Sequence, residues 1–162
     1  MSFLRFLMLL SLVVWIGGII FFAMMAPAVF HVIPTRFLAG SLVGNLLAKL
    51  HWIAIGSGIV FLISSMIYSR MTDGTARVFA LRHVLVCGML ALTLVSQFGI
   101  TPRMVTLRAQ VSNFDSTATM NEPARIEFDA LHQWSTSVEV TVLLLGIVVI
   151  WLTASAISAS PH

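Results

Sequence analysis

Four long apolar runs separated by short polar stretches organise the chain. The first predicts a helix over residues 3–30. Arg5 stands at its start, Trp15, Gly17 and Gly18 interrupt it, and Pro27 and Pro34 mark its exit because proline cannot continue the helical hydrogen-bond ladder. The second begins near Thr35, a residue suited to an N-cap, and runs over 36–68. Residues 69–76, with Asp73-Gly74 inside, read as a short turn. The third run covers 78–100 and is broken by Pro102, after which 103–109 predict a short interfacial helix. The Ser-, Thr- and Asn-rich residues 110–121 read as a loop. Pro123 is then placed for the first turn of a fourth helix over 124–156, amphipathic at first and apolar from Val140.

Each run meets the roughly 20 residues needed to cross the hydrocarbon core. The short connections favour antiparallel neighbours. The expected fold is therefore all-α: an integral membrane four-helix up-and-down bundle forming one domain over residues 1–162. Gly17, Gly18, Ser57, Gly58, Ser64, Ser65 and Gly146 supply the small side chains that let membrane helices approach closely. The first run is too long for the apolar region of a secretory signal and reads as an uncleaved span.

Composition strengthens this reading. Hydrophobic residues make up 59% of the chain and charged residues 9%, with a mean hydropathy of +1.00, which excludes a water-soluble fold. The net charge of +3 does not indicate nucleic acid, because the basic residues sit at the ends of apolar runs, where they anchor helices and set orientation. Arg5, Arg70, Arg77 and Arg82 fall at one face; Arg36, Lys49, Arg103, Arg108 and Arg125 fall at the other. The count of basic residues does not decide between the two faces; Arg5 directly before the first span, and the arginines around the 69–76 turn, favour both termini in the cytoplasm, with the bacterial inner membrane as the expected location. The single cysteine, Cys87, lies in an apolar run and forms no disulfide framework.

Aligning the spans by their boundary residues brings His31, His51 and His132 near one face, while His83 lies at the other. On the fourth helix His132, Ser135, Thr136 and Glu139 follow i, i+3, i+4, i+7 spacing and share one side. This polar stripe carries Glu139 about 10 Å deeper than His132, where a carboxylate has to be protonated, paired or hydrogen-bonded. His51 and His132, with His31 in reserve, have the chemistry to ligate haem b or a metal ion, with Glu139 as a proton carrier or as hydrogen-bond partner to a ligand. The same residues also suit a purely structural role, as interfacial histidines and a buried acid bonded to a neighbouring helix. Lys49 points nearly opposite to His51, so at most one of them faces the bundle centre; its stem reaches the boundary or, alternatively, its ammonium turns inward toward Glu139. Met24 and Met25 are adjacent and share no helix face, which weakens a copper site. Nucleophile elbow, phosphate loop, zinc-protease and nucleic-acid-binding patterns are missing from the sequence.

The segments Trp15-Ile16-Gly17-Gly18, Phe21-Phe22, Ala26-Pro27, Pro102-Arg103, Leu107-Arg108, Phe128-Asp129-Ala130-Leu131-His132 with Ser135, and Leu145-Gly146 resemble the transmembrane-protein-205-like family. These are small four-helix membrane proteins of bacteria, with eukaryotic relatives, whose molecular function is largely undefined. His132 and Ser135 match the family's His and Ser. Glu139 departs from it, since an uncharged polar residue is more usual there. Lys49-Leu50-His51-Trp52 is also similar to helix starts in copper-resistance-D-type and haem-binding protoporphyrinogen-oxidase-type membrane proteins, which implies haem.

Three functions remain open at this level. One is a binding protein that holds haem or a metal near one membrane face through His51 and His132. Another is an accessory subunit or homo-oligomer packed in a larger membrane complex. The third is a proton-coupled transporter or oxidoreductase using Glu139. The lipid bilayer is the partner common to all three.

Overall fold

A computed structural model of the protein describes residues 2–73, 80–111 and 113–158. Helix α1 spans Ser2–Val32 and α2 spans Arg36–Asp73. The third span, Leu81–Gln110, consists of α3 (Leu81–Val95), a wide π turn (Ser96–Ile100) and α4 (Thr101–Gln110). A short 3₁₀ turn (Thr117–Asn121) leads to α5 (Pro123–Ser158). Four helices are thus long and apolar enough to cross a membrane. Both α1 and α3 pack against α2 and α5, which makes successive spans neighbours in an up-and-down bundle.

Helical periodicity decides what faces inward. On α1, Met8, Leu12, Trp15, Ile16 and Ile19 recur every three or four residues and are buried. They meet Phe61 of α2, Val86 and Met89 of α3, and Val142 and Val149 of α5 in one core. The opposite faces expose large apolar side chains such as Phe21, Met24, Ile63, Leu144 and Trp151. So extensive an apolar surface needs lipid to cover it. The chain is an integral membrane protein.

Three of the expected small residues carry the close contacts. A Cβ on Gly58 would lie 2.6 Å from Leu90 Cδ2 and 2.8 Å from Trp15, one on Gly18 would lie 2.8 Å from Leu50, and one on Gly146 would overlap Ile16. Gly17 differs from the expectation: it is exposed, with open space where a Cβ would stand.

Two proline expectations are corrected. Pro27 lies inside α1, which runs on to Val32; membrane helices tolerate an internal proline where local adjustments satisfy the freed backbone groups. Pro102 does not break the third span, because the π turn just before it widens the backbone and the helix resumes at Thr101. There the Thr101 N–H bonds to the Ser96 carbonyl rather than to residue 97, which eases the clash a proline ring makes with the carbonyl four residues earlier. The start near Thr35 agrees with the fold: its Oγ1 accepts the Leu38 N–H at 3.4 Å. The expected 69–76 turn is helical through Asp73, and its remainder lies outside the described residues.

The bundle ends differ. At the end holding the N-terminus, the Arg5 guanidinium donates to the Tyr68 hydroxyl at 2.8 and 3.0 Å, fastening the start of α1 to the end of α2. At the other end the 110–121 segment, read as a polar loop, folds onto the helices. Val111 and Phe114 join Leu107 and Phe128 in a second apolar cluster, and the Thr119 hydroxyl closes the turn on the Asn113 and Ser116 carbonyls.

Candidate functional site

Three spans meet at His51. Its position follows from the pattern of α2, where Leu50, Ala54, Ser57, Gly58, Phe61 and Ser65 form the buried stripe and His51 falls within it. The side chain is 1% exposed. Nε2 lies 2.7 Å from Glu139 Oε1 on α5, and Nδ1 lies 2.9 Å from Gln97 Oε1 on the π turn. Glu139 is 15% exposed.

This arrangement has two self-consistent states. With the Gln97 oxygen toward the ring, both ring nitrogens donate, so an imidazolium sits between an amide and the Glu139 carboxylate and the pair is neutral overall. With the Gln97 amide turned over, its N–H₂ donates to Nδ1 and the ring is a neutral imidazole. Either way each group keeps a partner, which low-dielectric surroundings demand. A proton can enter or leave without stranding a buried polar atom. The π turn that presents Gln97 is a device found frequently at functional sites.

Glu139 connects this buried pair to space. It lines an open cavity of about 690 Å³ bordered by the second half of α1, the first half of α2, α4, Phe114 and the first half of α5. The walls are mostly apolar, with Phe22, Phe30, Val43, Leu47 and Leu143 among them. The volume falls in the range of pockets that take small molecules. The predicted stripe on α5 faces it: His132, Ser135, Thr136 and Glu139 all line the cavity.

Of the other sequence candidates, His132 is exposed, stacks its ring on Phe128 at 6.4 Å between centroids, and accepts the Thr136 hydroxyl through its carbonyl. His31 is exposed at the end of α1 and is not part of the cavity wall. Lys49 is exposed while its near neighbour His51 is buried, as the helical geometry predicts. His83 is buried and bonds Ser65 at 2.8 Å across α2 and α3. Among the described residues, no group of three or more His, Cys, Asp or Glu side chains gathers to hold a metal ion. A metal approaching His51 would have to displace Gln97 or Glu139.

Sequence reasoning missed Gln97. A lone amide inside an apolar run, a few residues before a proline, was the available signal. Phe114 and Arg125 were also missed as a unit. Arg125 is buried, with its Nη1 donating to the Phe114 carbonyl at 3.2 Å, its Nε to Asp129 at 3.2 Å, and its guanidinium 4.5 Å over the Phe114 ring.

A family model described as a domain of unknown function (DUF4149) matches residues 10–113. The matched stretch contains His51, Gln97 and Arg108 and stops before α5, which carries Glu139. The match agrees with the small four-helix membrane family that the sequence resembles. No curated protein and no solved structure matches the chain.

Proposed function

We propose that the chain, which belongs to this DUF4149 family, is a proton-exchanging binding protein of the membrane interior. It holds a ligand in the cavity and changes the charge state of the His51–Glu139 pair as the ligand enters or leaves. The observation that carries this reading is the 2.7 Å contact of a fully buried imidazole with a carboxylate that also lines a cavity. Intramembrane ionisable pairs placed this way mark proton relays and substrate pathways. Gln97 steadies the ring in both states, and the Ser135 and Thr136 side chains continue the polar wall from Glu139 toward His132. With both termini in the cytoplasm, the cavity end of the bundle faces the opposite side of the membrane.

Infrared difference spectra of the protein in native membranes, taken between acidic and alkaline buffer, test the proposal without knowledge of the ligand. The expected result is a carboxylate stretching band that shifts between the two buffers as the imidazole beside it gains or loses its proton, a band that is lost in Glu139→Gln and displaced in Gln97→Leu. An identical band in Glu139→Gln would overturn the reading. So would a purified protein carrying a Soret absorbance or stoichiometric metal that His51→Ala abolishes, since the imidazole would then be a haem or metal ligand.

A further inference from the structure

Among the described residues, one cation on the cavity wall has no counter-ion. Arg108 on α4 is half-buried and its guanidinium lies along α2, where a Cβ on Gly40 or Gly44 would come within 3.4 or 3.2 Å of its Nη atoms. The glycines make the slot in which it lies. Its Cζ stands 5.1 Å over the Phe128 ring. The neighbouring charges on the cavity wall are already matched: Arg36 pairs with Asp115, Arg125 with Asp129, and Glu139 with His51. Among the described residues, no carboxylate or carbonyl accepts a hydrogen bond from Arg108.

We infer that the cavity binds a single-chain anionic lipid, with its carboxylate on Arg108 and its acyl chain along the apolar wall formed by Phe22, Phe30, Val43, Leu47 and Leu143. This rests on reading the cavity as a ligand site and names the class of ligand. An unpaired guanidinium beside apolar walls is stabilised by an anion more than one in bulk water is, because the low local dielectric strengthens the attraction. Its planar fork matches the two oxygens of a carboxylate. The apolar remainder of the wall offers a headgroup-only ion nothing to bury, whereas an acyl chain gains contact along its length. Glu139 stands on the same wall as Leu143, so an acyl chain lying along it passes the buried pair.

Equilibrium binding to the full chain in nanodiscs of neutral lipid tests this, using oleate, oleyl alcohol and inorganic phosphate as probes. Oleate should bind saturably at one site per chain. Oleyl alcohol, which lacks the charge, should bind more weakly by roughly tenfold to a hundredfold, and Arg108→Gln should weaken oleate by a similar factor. Arg108→Lys should retain part of the affinity, which guards against a simple folding defect, and Arg70→Gln at the far end should match wild type. Equal affinity for oleate and oleyl alcohol, unchanged oleate binding in Arg108→Gln, or phosphate competing as well as oleate would each overturn the inference. Glu139→Gln should still bind oleate. That variant therefore separates failure of the lipid site from failure of proton exchange.

Discussion

Replacing His51 with alanine should destabilise the bundle by roughly 3–5 kcal/mol, the usual consequence of removing one partner from a buried ion pair. The loss has three parts: Glu139 is left facing an apolar cavity, Gln97 loses its partner on the π turn, and the space of a fully buried ring stands empty. A double substitution, His51→Leu with Glu139→Leu, should recover most of the stability, because well-packed apolar side chains replace a buried ion pair at little or no cost. Unfolding in mixed micelles, arranged as a double-mutant cycle, measures this. The two single losses should sum to more than the loss in the double variant, and strict additivity would show that the groups do not interact.

Arg125→Met should remove about 1.5–3 kcal/mol, the scale for a hydrogen bond to a charged group. The arginine ties α5 to the Phe114 carbonyl, covers the Phe114 ring, and so keeps the 113–116 turn seated on the bundle end. Without it, amide exchange across that turn should accelerate while the helix interiors keep their protection. Lysine should not restore the turn, since it lacks the planar fork that reaches carbonyl and carboxylate while lying over a ring. A lysine variant with full protection would show that charge alone suffices. By contrast, the Arg103–Glu127 pair at 2.8 Å is about half exposed on both sides, and water screens a pair of that kind until it adds little to stability. Geometry makes both pairs look alike; burial separates them.

The four spans were legible because a membrane helix announces itself by length and apolarity, with no need for a partner. The stripe from His132 to Glu139 was legible for a similar reason: periodicity within one helix fixes which side chains share a face. What lay outside that reach was pairing between helices. Periodicity places His51 in the inward stripe of α2, yet it cannot say that Glu139, 88 positions later, ends within 2.7 Å of it. Gln97 was hidden further by the π turn, whose geometry departs from the 3.6-residue repeat on which sequence reading depends. Arg108 read as one more boundary anchor because its slot is made by glycines on another helix. The 110–121 segment looked like plain loop because its polar residues outnumber Phe114, the side chain that docks it. Gathering His31, His51 and His132 by depth was sound as a sequence argument, but depth does not give the rotation of each helix. Rotation is what buries His51, leaves His132 on the cavity wall and turns His31 outward.

The central claim is that the buried imidazole exchanges a proton in concert with Glu139, and ring-nitrogen NMR of histidine-labelled protein in bilayers tests it most directly. The account predicts that the His51 signal, assigned by its loss in His51→Leu, shows both nitrogens protonated in acidic buffer and one in alkaline buffer, and that Glu139→Gln displaces this change. A His51 ring whose nitrogens keep one state across that range, or respond identically in Glu139→Gln, would contradict it.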